Sequence, residues 1–314
     1  MSAALLDYWI GDPWGWWHPV RVMGWSIERY TRLVLRFFQR DWQLRLLGVV
    51  LALGLVLGSG GASWVVVAIS AWVHPWLGRV TEIILLASCF AGRSLRAAAA
   101  DVLQPLASQD LGQARSRLSQ YVGRDTAQLT EPEILRAVLE TVTENATDGV
   151  LAPLFYAIVG VFLPAVGPLP LAMAYKAAST LDSMVGYKKA PYTDLGWASA
   201  RLDDALTWLP CRLVVLTLAL LAGNPARVWK ICCRDGPLDP SPNSGWSEAA
   251  YAAVLQVRVG GTNWYQGIAR VKPYLGEPVV PITPEIIGQA SRLTRSCFLL
   301  WLGIAIGGLV LLQR

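Results

Sequence analysis

Long apolar stretches alternate with polar segments along this chain, and none is the clean run of about 20 residues that an ideal transmembrane helix needs. We therefore expect four or five membrane-embedded helical segments, the first two forming a hairpin with a turn at 58–61 (Gly-Ser-Gly-Gly) and a kink at Pro75. The pattern predicts an all-α, polytopic integral membrane protein with a soluble helical insert. The apolar stretches are 44–57, 62–73, 76–92, 150–174, 206–221 and 298–312.

The polar segments between these stretches show helical periodicity. Residues 20–43 alternate arginine with apolar residues, which predicts an amphipathic helix on the membrane surface. Residues 93–144 carry alanine, leucine and charged residues at helical spacing, which is typical of soluble amphipathic helices, one of them starting at Thr130.

Two apolar stretches contain prolines and are harder to interpret. For 150–174 we expect one broken span or a re-entrant pair, and for 206–221 a partial or re-entrant segment, so that the polar motifs on both sides of it can face one compartment. The resulting regions are an N-terminal motif with a basic helix (1–43), a membrane hairpin (44–92), the soluble insert (93–148), broken membrane segments with a motif loop at 175–205 (149–223), a polar motif region (224–296) and a C-terminal anchor (297–314).

Composition supports a membrane protein over a soluble one. Hydrophobic residues make up 54% and charged residues only 16% of the chain, and the mean hydropathy is +0.40; about a quarter of the residues of a soluble protein are charged. Much of the net charge of +5 comes from arginines just before the first apolar stretch, which favours a cytoplasmic N-terminus and an inner-membrane location. A solvated basic helix face is the alternative explanation. The five cysteines include no CxxC pair, which argues against a disulfide framework or a zinc site.

Candidate chemistry concentrates between residues 139 and 204. Glu140, Glu144 and Asp148 are four residues apart, so on an α-helix they would share one face and would need a cation or basic groups to offset their repulsion. Further acids and bases follow within the same stretch. Carboxylates that bind Mg²⁺ together with bases that bind phosphate oxygens are what phosphoryl chemistry requires. The candidate Mg²⁺ ligands are Glu140, Asp148, Asp182, Asp203 and Asp204, and the candidate bases are Lys176, Lys188 and Arg201.

Other interpretations of these charges were weighed. Helix caps and solvated helix faces would explain single motifs, but less readily three motifs that flank apolar stretches. No G-x-x-x-x-G-K-[ST] motif occurs, and the basic residues are not interleaved with aromatics in the manner of a nucleic-acid-binding surface. We expect no nucleic-acid partner.

Several motifs together resemble the CbiB/CobD family of cobalamin biosynthesis. They are Gly-Asp-Pro at 11–13, His-Pro-Val-Arg at 18–21, Glu-Asn-Ala-Thr-Asp-Gly-Val at 144–150, Tyr-Lys-Ala-Ala-Ser-Thr-Leu-Asp-Ser-Met-Val-Gly-Tyr-Lys at 175–188, Gly-Trp-Ala-Ser-Ala-Arg-Leu-Asp-Asp at 196–204 and Ser-Pro-Asn-Ser-Gly-Trp-Ser-Glu-Ala at 241–249. The resemblance covers nearly the whole chain. Departures from the family pattern are Ser179 in place of asparagine, Ala146-Thr147 in place of Thr-Ser, and Ser247 in place of proline.

The resemblance implies an adenosylcobinamide-phosphate synthase, an integral membrane enzyme that uses ATP and Mg²⁺. The expected reaction joins aminopropanol or its O-phosphate to the carboxylate of adenosylcobyric acid through an amide bond. The expected surroundings are the lipid bilayer, an active site facing the cytoplasm and other membrane enzymes of cobalamin assembly. Its implied catalytic residues are Glu144, Asp148, Lys176, Asp182, Lys188 and Arg201, and its implied substrate contacts are Asp12, His18, Arg21, Asn145, Trp197, Asn243 and Trp246.

Two other functions remain open at this point. A corrinoid transporter would also place acids and broken helices in the membrane, but such proteins usually have two matching halves, and the sequence contains no internal repeat. A non-catalytic membrane scaffold for a cobalamin-assembly complex is the other alternative.

Overall fold

A computed structural model describes residues 1–11 and 18–312 of the chain. About 75% of the residues are helical. In chain order the helices are α1 Ser2–Trp9, α2 Pro19–Phe37, α3 Asp41–Val73, α4 Pro75–Ala87, α5 Gly92–Ala107, α6 Leu111–Leu118, α7 Glu131–Asn145, α8 Ala152–Val161, α9 Pro168–Val185, α10 Tyr192–Leu195, α11 Trp197–Leu221, α12 Pro225–Asp235, α13 Ser244–Leu255 and α14 Pro284–Leu312. A π-helical turn covers Ala146–Leu151, a 3-10 turn covers Gly236–Leu238, and the strands β1 Arg258–Tyr265 and β2 Ile268–Gly276 form a hairpin.

Four helical segments in the described part of the chain are long and apolar enough to cross a membrane. They are Asp41–Val73, Pro75–Ala107, Tyr192–Leu221 and Pro284–Leu312. The second comprises α4 and α5, with a short interruption between Ala87 and Gly92. The prediction of an all-α polytopic membrane protein is confirmed, apart from the small β-hairpin.

The expected turn at 58–61 is wrong, because α3 runs without interruption from Asp41 to Val73. Glycine weakens a helix but does not end it, whereas proline restricts the preceding residue to extended backbone. The chain accordingly reverses at His74-Pro75, where His74 has extended backbone and its Nδ1 accepts a hydrogen bond from the Trp76 amide at 3.2 Å. The first hairpin is therefore α3 packed against α4.

The two proline-containing stretches differ from each other. Helices α8 and α9 pack against each other, and α8 has only 10 residues, a length of about 15 Å, which is too short to cross a bilayer. That arrangement fits the re-entrant pair expected at 150–174. The segment 206–221, expected to be partial, is instead the end of α11, which continues through Pro210 and belongs to a candidate span.

The chain divides into two compact units. Unit 1 comprises Met1–Ala91, Ala152–Thr207 and Ile304–Arg314. In its core, α9 packs against α2, α3 and α8. The buried side of α2 presents Met23, Ile27, Thr31 and Val34, which recur every three or four residues. This spacing confirms the predicted amphipathic helix in the N-terminal segment.

Unit 2 comprises Gly92–Leu151 and Trp208–Gly303. Helix α7 starts as expected, because the Glu133 carboxylate accepts hydrogen bonds from both the amide and the hydroxyl of Thr130 at 2.7 Å. The β-hairpin packs against α7, α12 and α13. Its two-residue turn, Gln266-Gly267, has positive φ at both positions, the geometry that a tight hairpin favours. The hairpin lies in a segment where we expected only polar motifs.

Gly48 provides a test of the packing of α3 in unit 1. A Cβ atom at this position would lie 2.1 Å from the backbone oxygen of Leu195, whereas one at Gly54 of the same helix would meet no atom within 4 Å. We expect Gly48→Ala to destabilise the protein by about 1–3 kcal/mol through overpacking. Gly54→Ala should be neutral or stabilising by about 0.5–1 kcal/mol. Thermal unfolding in detergent measures both, and equal Tm values for the two variants would contradict the packing.

Candidate active site

Glu140 of α7 forms a buried ion-pair cluster in unit 2. Its Oε2 pairs with Arg124, and its Oε1 accepts hydrogen bonds from Arg136 at 3.1 Å and from the Gly260 amide at 2.9 Å. Burial raises the pKa of Glu140, but the two arginines and these hydrogen bonds outweigh burial and hold the pKa below its ordinary value. The contacts are those of a structural ion pair that ties α7 to the first strand of the hairpin.

Helices α7 and α13 approach each other through hydroxyl groups. Ser247 donates a hydrogen bond to the backbone oxygen of Thr143 at 2.8 Å, and its hydroxyl lies 2.7 Å from that of Thr147. Thr147 and Ser247 are both departures from the expected family pattern, and their contact shows that the two changes are complementary. This contact brings the next residue of each helix, Glu144 and Glu248, into the same region.

Glu248 is the centre of an acid–base cluster that includes Glu144. Its Oε1 accepts hydrogen bonds from Lys272 at 2.7 Å and from the Ser244 hydroxyl at 3.1 Å, while its buried Oε2 has no hydrogen-bond partner. Lys272, on β2, also lies 3.9 Å from the Asp239 carboxylate. Three acids therefore face one lysine in a buried environment, an arrangement that favours uptake of a proton or of a cation.

Electrostatics reflect this imbalance of charge. Burial raises the pKa of Glu248 to about 8, and the neighbouring Glu144 adds to the increase against the opposing effect of Lys272. Burial likewise raises the pKa of Glu144. Burial alone would lower the pKa of Lys272, but Glu248 and Glu144 outweigh it and keep the lysine protonated. The two glutamates titrate as a pair, with one proton held near neutral pH.

The expected alignment of Glu140, Glu144 and Asp148 on one helical face is wrong for the last residue. Helix α7 ends at Asn145, and Asp148 lies on the π-helical turn Ala146–Leu151, where the wider backbone changes the angular position of each side chain. Asp148 is half-buried and within electrostatic range of Cys211 in α11. Turns of this type occur frequently at functional sites.

Arg212, next to Cys211, contacts two of the predicted substrate residues. It donates a hydrogen bond to the Oδ1 of buried Asn243 at 2.9 Å. Its guanidinium carbon lies 4.5 Å from the ring centre of Trp246 and 5.1 Å from that of Trp208. Asn243 and Trp246 thus belong to one polar–aromatic group in unit 2.

The other predicted acids form a second group, in unit 1. The buried carboxylate of Asp203 is within electrostatic range of Asp182 and Asp204, and its Oδ1 has no hydrogen-bond partner. The exposed Arg201 lies 4.0 Å from Asp204, and Lys188 is within electrostatic range of the same acid. The structure thus brings together the predicted acids and two of the predicted bases.

Aromatic residues support this group. Tyr175 stacks on Tyr156 with ring centres 5.1 Å apart, and its hydroxyl lies 2.9 Å from that of Thr207, which hydrogen-bonds Asp203. Lys176, the residue after Tyr175 on α9, is half-buried.

The remaining predicted substrate residues have local contacts. The exposed Asn145 donates to the Thr141 backbone oxygen at 2.8 Å, and Trp197 is exposed beside Arg45. His18 caps α2 by accepting a hydrogen bond from the Val20 amide at 3.2 Å. Arg21 is exposed on α2, and Asp12 lies outside the described residues.

No group of three or more histidine, cysteine, aspartate or glutamate side chains is placed to hold a metal ion within residues 1–11 and 18–312. Mg²⁺ commonly uses only one or two carboxylates and completes its coordination with waters and phosphate oxygens. Of the five candidate ligands, Glu140 is the one whose two oxygens are already occupied by arginines and an amide.

Sequence reasoning did not assign functions to Glu248, Lys272, Asp239 or Arg212. Glu248 and Asp239 lie in or beside the quoted 241–249 motif, which was a usable signal for both. Lys272 lies in a segment where no pattern marked it, and only the fold of the hairpin brings it to Glu248.

Comparison with known proteins gives a consistent result. The family model described as CobD/Cbib protein matches residues 1–294. A Synechocystis protein named cobalamin biosynthesis protein CobD is 53% identical over 307 residues, covering 97% of this chain and 90% of that protein. Cobalamin biosynthesis protein CbiB of Salmonella arizonae is 44% identical over 295 residues, covering 93% and 90%. CobD of Klebsiella pneumoniae is 43% identical over 309 residues, covering 97% and 95%. No solved structure gives a significant match.

The Glu140 cluster predicts a large and pH-dependent effect on stability. Glu140→Gln leaves Arg124 and Arg136 buried without their counter-charge and should cost about 3–5 kcal/mol. Because folding lowers the pKa of Glu140, the stabilisation is present above the ordinary glutamate value of 4.5 and is lost as the pH falls through the folded value. The difference in unfolding free energy between wild type and variant should therefore narrow in acid.

Glu28→Gln is the matched control for this measurement. Glu28 pairs with Arg32 on the exposed side of α2, where such a pair contributes about 0–1 kcal/mol. Denaturant unfolding at pH 7 in detergent compares the two variants. A loss for Glu140→Gln as small as that for Glu28→Gln would show that the ion-pair cluster does not hold the hairpin.

Proposed function

We propose a reaction for this protein from the premise that the chain belongs to the CobD/CbiB family of cobalamin biosynthesis proteins. It is a multi-pass membrane protein with a role in cobalamin biosynthesis. We propose that it joins aminopropanol, as its O-phosphate, to the carboxylate of adenosylcobyric acid, using ATP and Mg²⁺, on the cytoplasmic side of the inner membrane. The observation that best supports an amide ligase is the buried Glu144–Glu248 pair beside Lys272.

The chemistry of amide formation defines what the protein must supply. In the proposed sequence, a carboxylate oxygen of the corrinoid takes the γ-phosphoryl group of ATP, which releases ADP. The amine nitrogen then attacks the acyl carbon, the C–N bond forms and the C–O bond to phosphate breaks. The amine enters as an ammonium group and must lose two protons. One leaves with the phosphate as hydrogenphosphate, and a base must take the other.

We assign Glu144 as that base. It is partly exposed, whereas Glu248 behind it is fully buried, so Glu144 is the member of the pair that a substrate can reach. A raised pKa makes a carboxylate a better proton acceptor near neutral pH. Glu248 repels the negative charge of Glu144 and shares the held proton, and Lys272 fixes the orientation of Glu248.

The acidic group of unit 1 fits a cation. Asp203 has an orphaned, buried oxygen within electrostatic range of Asp182 and Asp204, so a positive charge there would relieve repulsion. Asp203 with Asp182 or Asp204 would hold Mg²⁺, which would supply charge neutralisation for the phosphates of ATP. Lys188 and Arg201 would bind phosphate oxygens, and Lys176 remains a candidate for the same role.

The first test is a direct assay of the product. Purified protein in detergent is incubated with adenosylcobyric acid, aminopropanol phosphate and Mg-ATP, and the corrinoid is analysed by mass spectrometry. We expect a mass gain equal to the amine donor less one water, which depends on ATP and is lost in Asp182→Asn. Uptake of unmodified corrinoid into proteoliposomes without product would replace the ligase by a transporter. Corrinoid binding with neither product nor uptake would favour a scaffold.

The second test addresses the glutamate pair. Glu144→Gln should lower kcat by at least about 100-fold, because it removes the proton acceptor. In wild type, activity should rise with pH through an apparent pKa that belongs to the pair and approaches 8. Glu248→Gln removes a negative charge beside Glu144, so the pKa of Glu144 falls and the midpoint of the pH profile should move to lower pH.

Glu277→Gln is the control for this profile. Glu277 is an exposed acid of unit 2 that pairs with Arg227 and Arg234, away from the glutamate pair. Its kcat and pH profile should match those of wild type. If Glu248→Gln lowered kcat without moving the midpoint, Glu248 would have a structural role only.

A further inference from the structure

A cavity of about 300 Å³ in unit 2 lies between α5 and the N-terminal half of α14, apart from both acidic groups. Its wall is apolar and is formed by Ala99 and Leu103 of α5 and Ile287 of α14. Its charged lining consists of Arg96, Arg292 and Arg295. None of the described residues that line the cavity is acidic.

The three arginines combine their charge at one place. Arg292 and Arg295 are three residues apart and so are neighbours on the surface of α14. A Cβ atom at Gly288 would lie 3.5 Å from the Nη1 of Arg292, so the guanidinium lies over the preceding turn that lines the cavity. Guanidinium groups bind phosphate oxygens through paired hydrogen bonds, which makes this lining suited to a phosphate group.

The position of the arginines in the sequence indicates the source of that phosphate. Arg292 and Arg295 come just before the apolar run 298–312 of α14, a candidate membrane span. Basic residues at this point of a spanning helix lie at the depth of the lipid headgroups. The apolar wall beside them matches the start of an acyl chain. A ligand with a phosphate and a hydrocarbon chain therefore fits both parts of the cavity.

We propose that Arg96, Arg292 and Arg295 form a binding site for the phosphate headgroup of an anionic phospholipid, with an acyl chain along Ala99, Leu103 and Ile287. The site is independent of the proposed ligase reaction. It gives unit 2 a specific attachment to an anionic membrane surface, in addition to the insertion of the apolar helices.

Native mass spectrometry of the full-length protein in detergent tests this site. Phosphatidylglycerol is the anionic probe and phosphatidylcholine the zwitterionic one. We expect the wild type to bind phosphatidylglycerol more tightly. Arg292→Gln/Arg295→Gln should weaken that binding at least about tenfold, because it removes charge-assisted hydrogen bonds of more than 1.4 kcal/mol in total. Arg270→Gln, which changes a surface arginine of β2, is the control and should bind like wild type.

Two results would overturn the proposal. One is equal affinity of the double variant and Arg270→Gln for phosphatidylglycerol. The other is displacement of phosphatidylglycerol by inorganic pyrophosphate at equal concentration, which would identify a site for a soluble phosphate. Should the double variant fail to fold, as judged by circular dichroism, the comparison of the two lipids and the pyrophosphate competition on wild type still decide the question.

Discussion

The burial of carboxylates in unit 2 is the constraint on which its other features depend. An unpaired buried charge is costly, so each acid must find a base or a proton. Glu140 meets this requirement with Arg124 and Arg136, and the same carboxylate binds the Gly260 amide of the hairpin. Because the hairpin is fixed in this way, its second strand holds Lys272 against Glu248. A structural ion pair thereby positions a chemically active one.

The glutamates of unit 2 illustrate two outcomes of the same physics. Glu140 is paired with two cations and is stable as a carboxylate, whereas Glu144 and Glu248 share one lysine and have raised pKa values. The first arrangement suits a structural role. The second keeps a proton available near neutral pH, which suits acid–base chemistry. Together with membership of a cobalamin biosynthesis family, this difference supports amide ligation over transport or scaffolding.

The sequence predicted the helical membrane architecture because apolar length and helical period are local properties. It also predicted the cap at Thr130, the amphipathic helix α2 and the acidic group of Asp182, Asp203 and Asp204, since motif residues close in sequence stay close on helices. It failed at 58–61, where burial in a long helix outweighed the glycine signal. It also missed Lys272, whose role comes from a strand pairing about 24 residues away from Glu248 and a hairpin that no local pattern marked.

The measurement that most directly tests the role of Glu144 uses an amine that is already neutral at pH 7. An alkoxyamine analogue of aminopropanol phosphate needs no proton removed before it attacks. If Glu144 is the base, the ratio of wild-type to Glu144→Gln turnover should fall from at least about 100 with aminopropanol phosphate to within about tenfold with the analogue. An unchanged ratio would show that Glu144 supports the structure and that the proton is taken elsewhere.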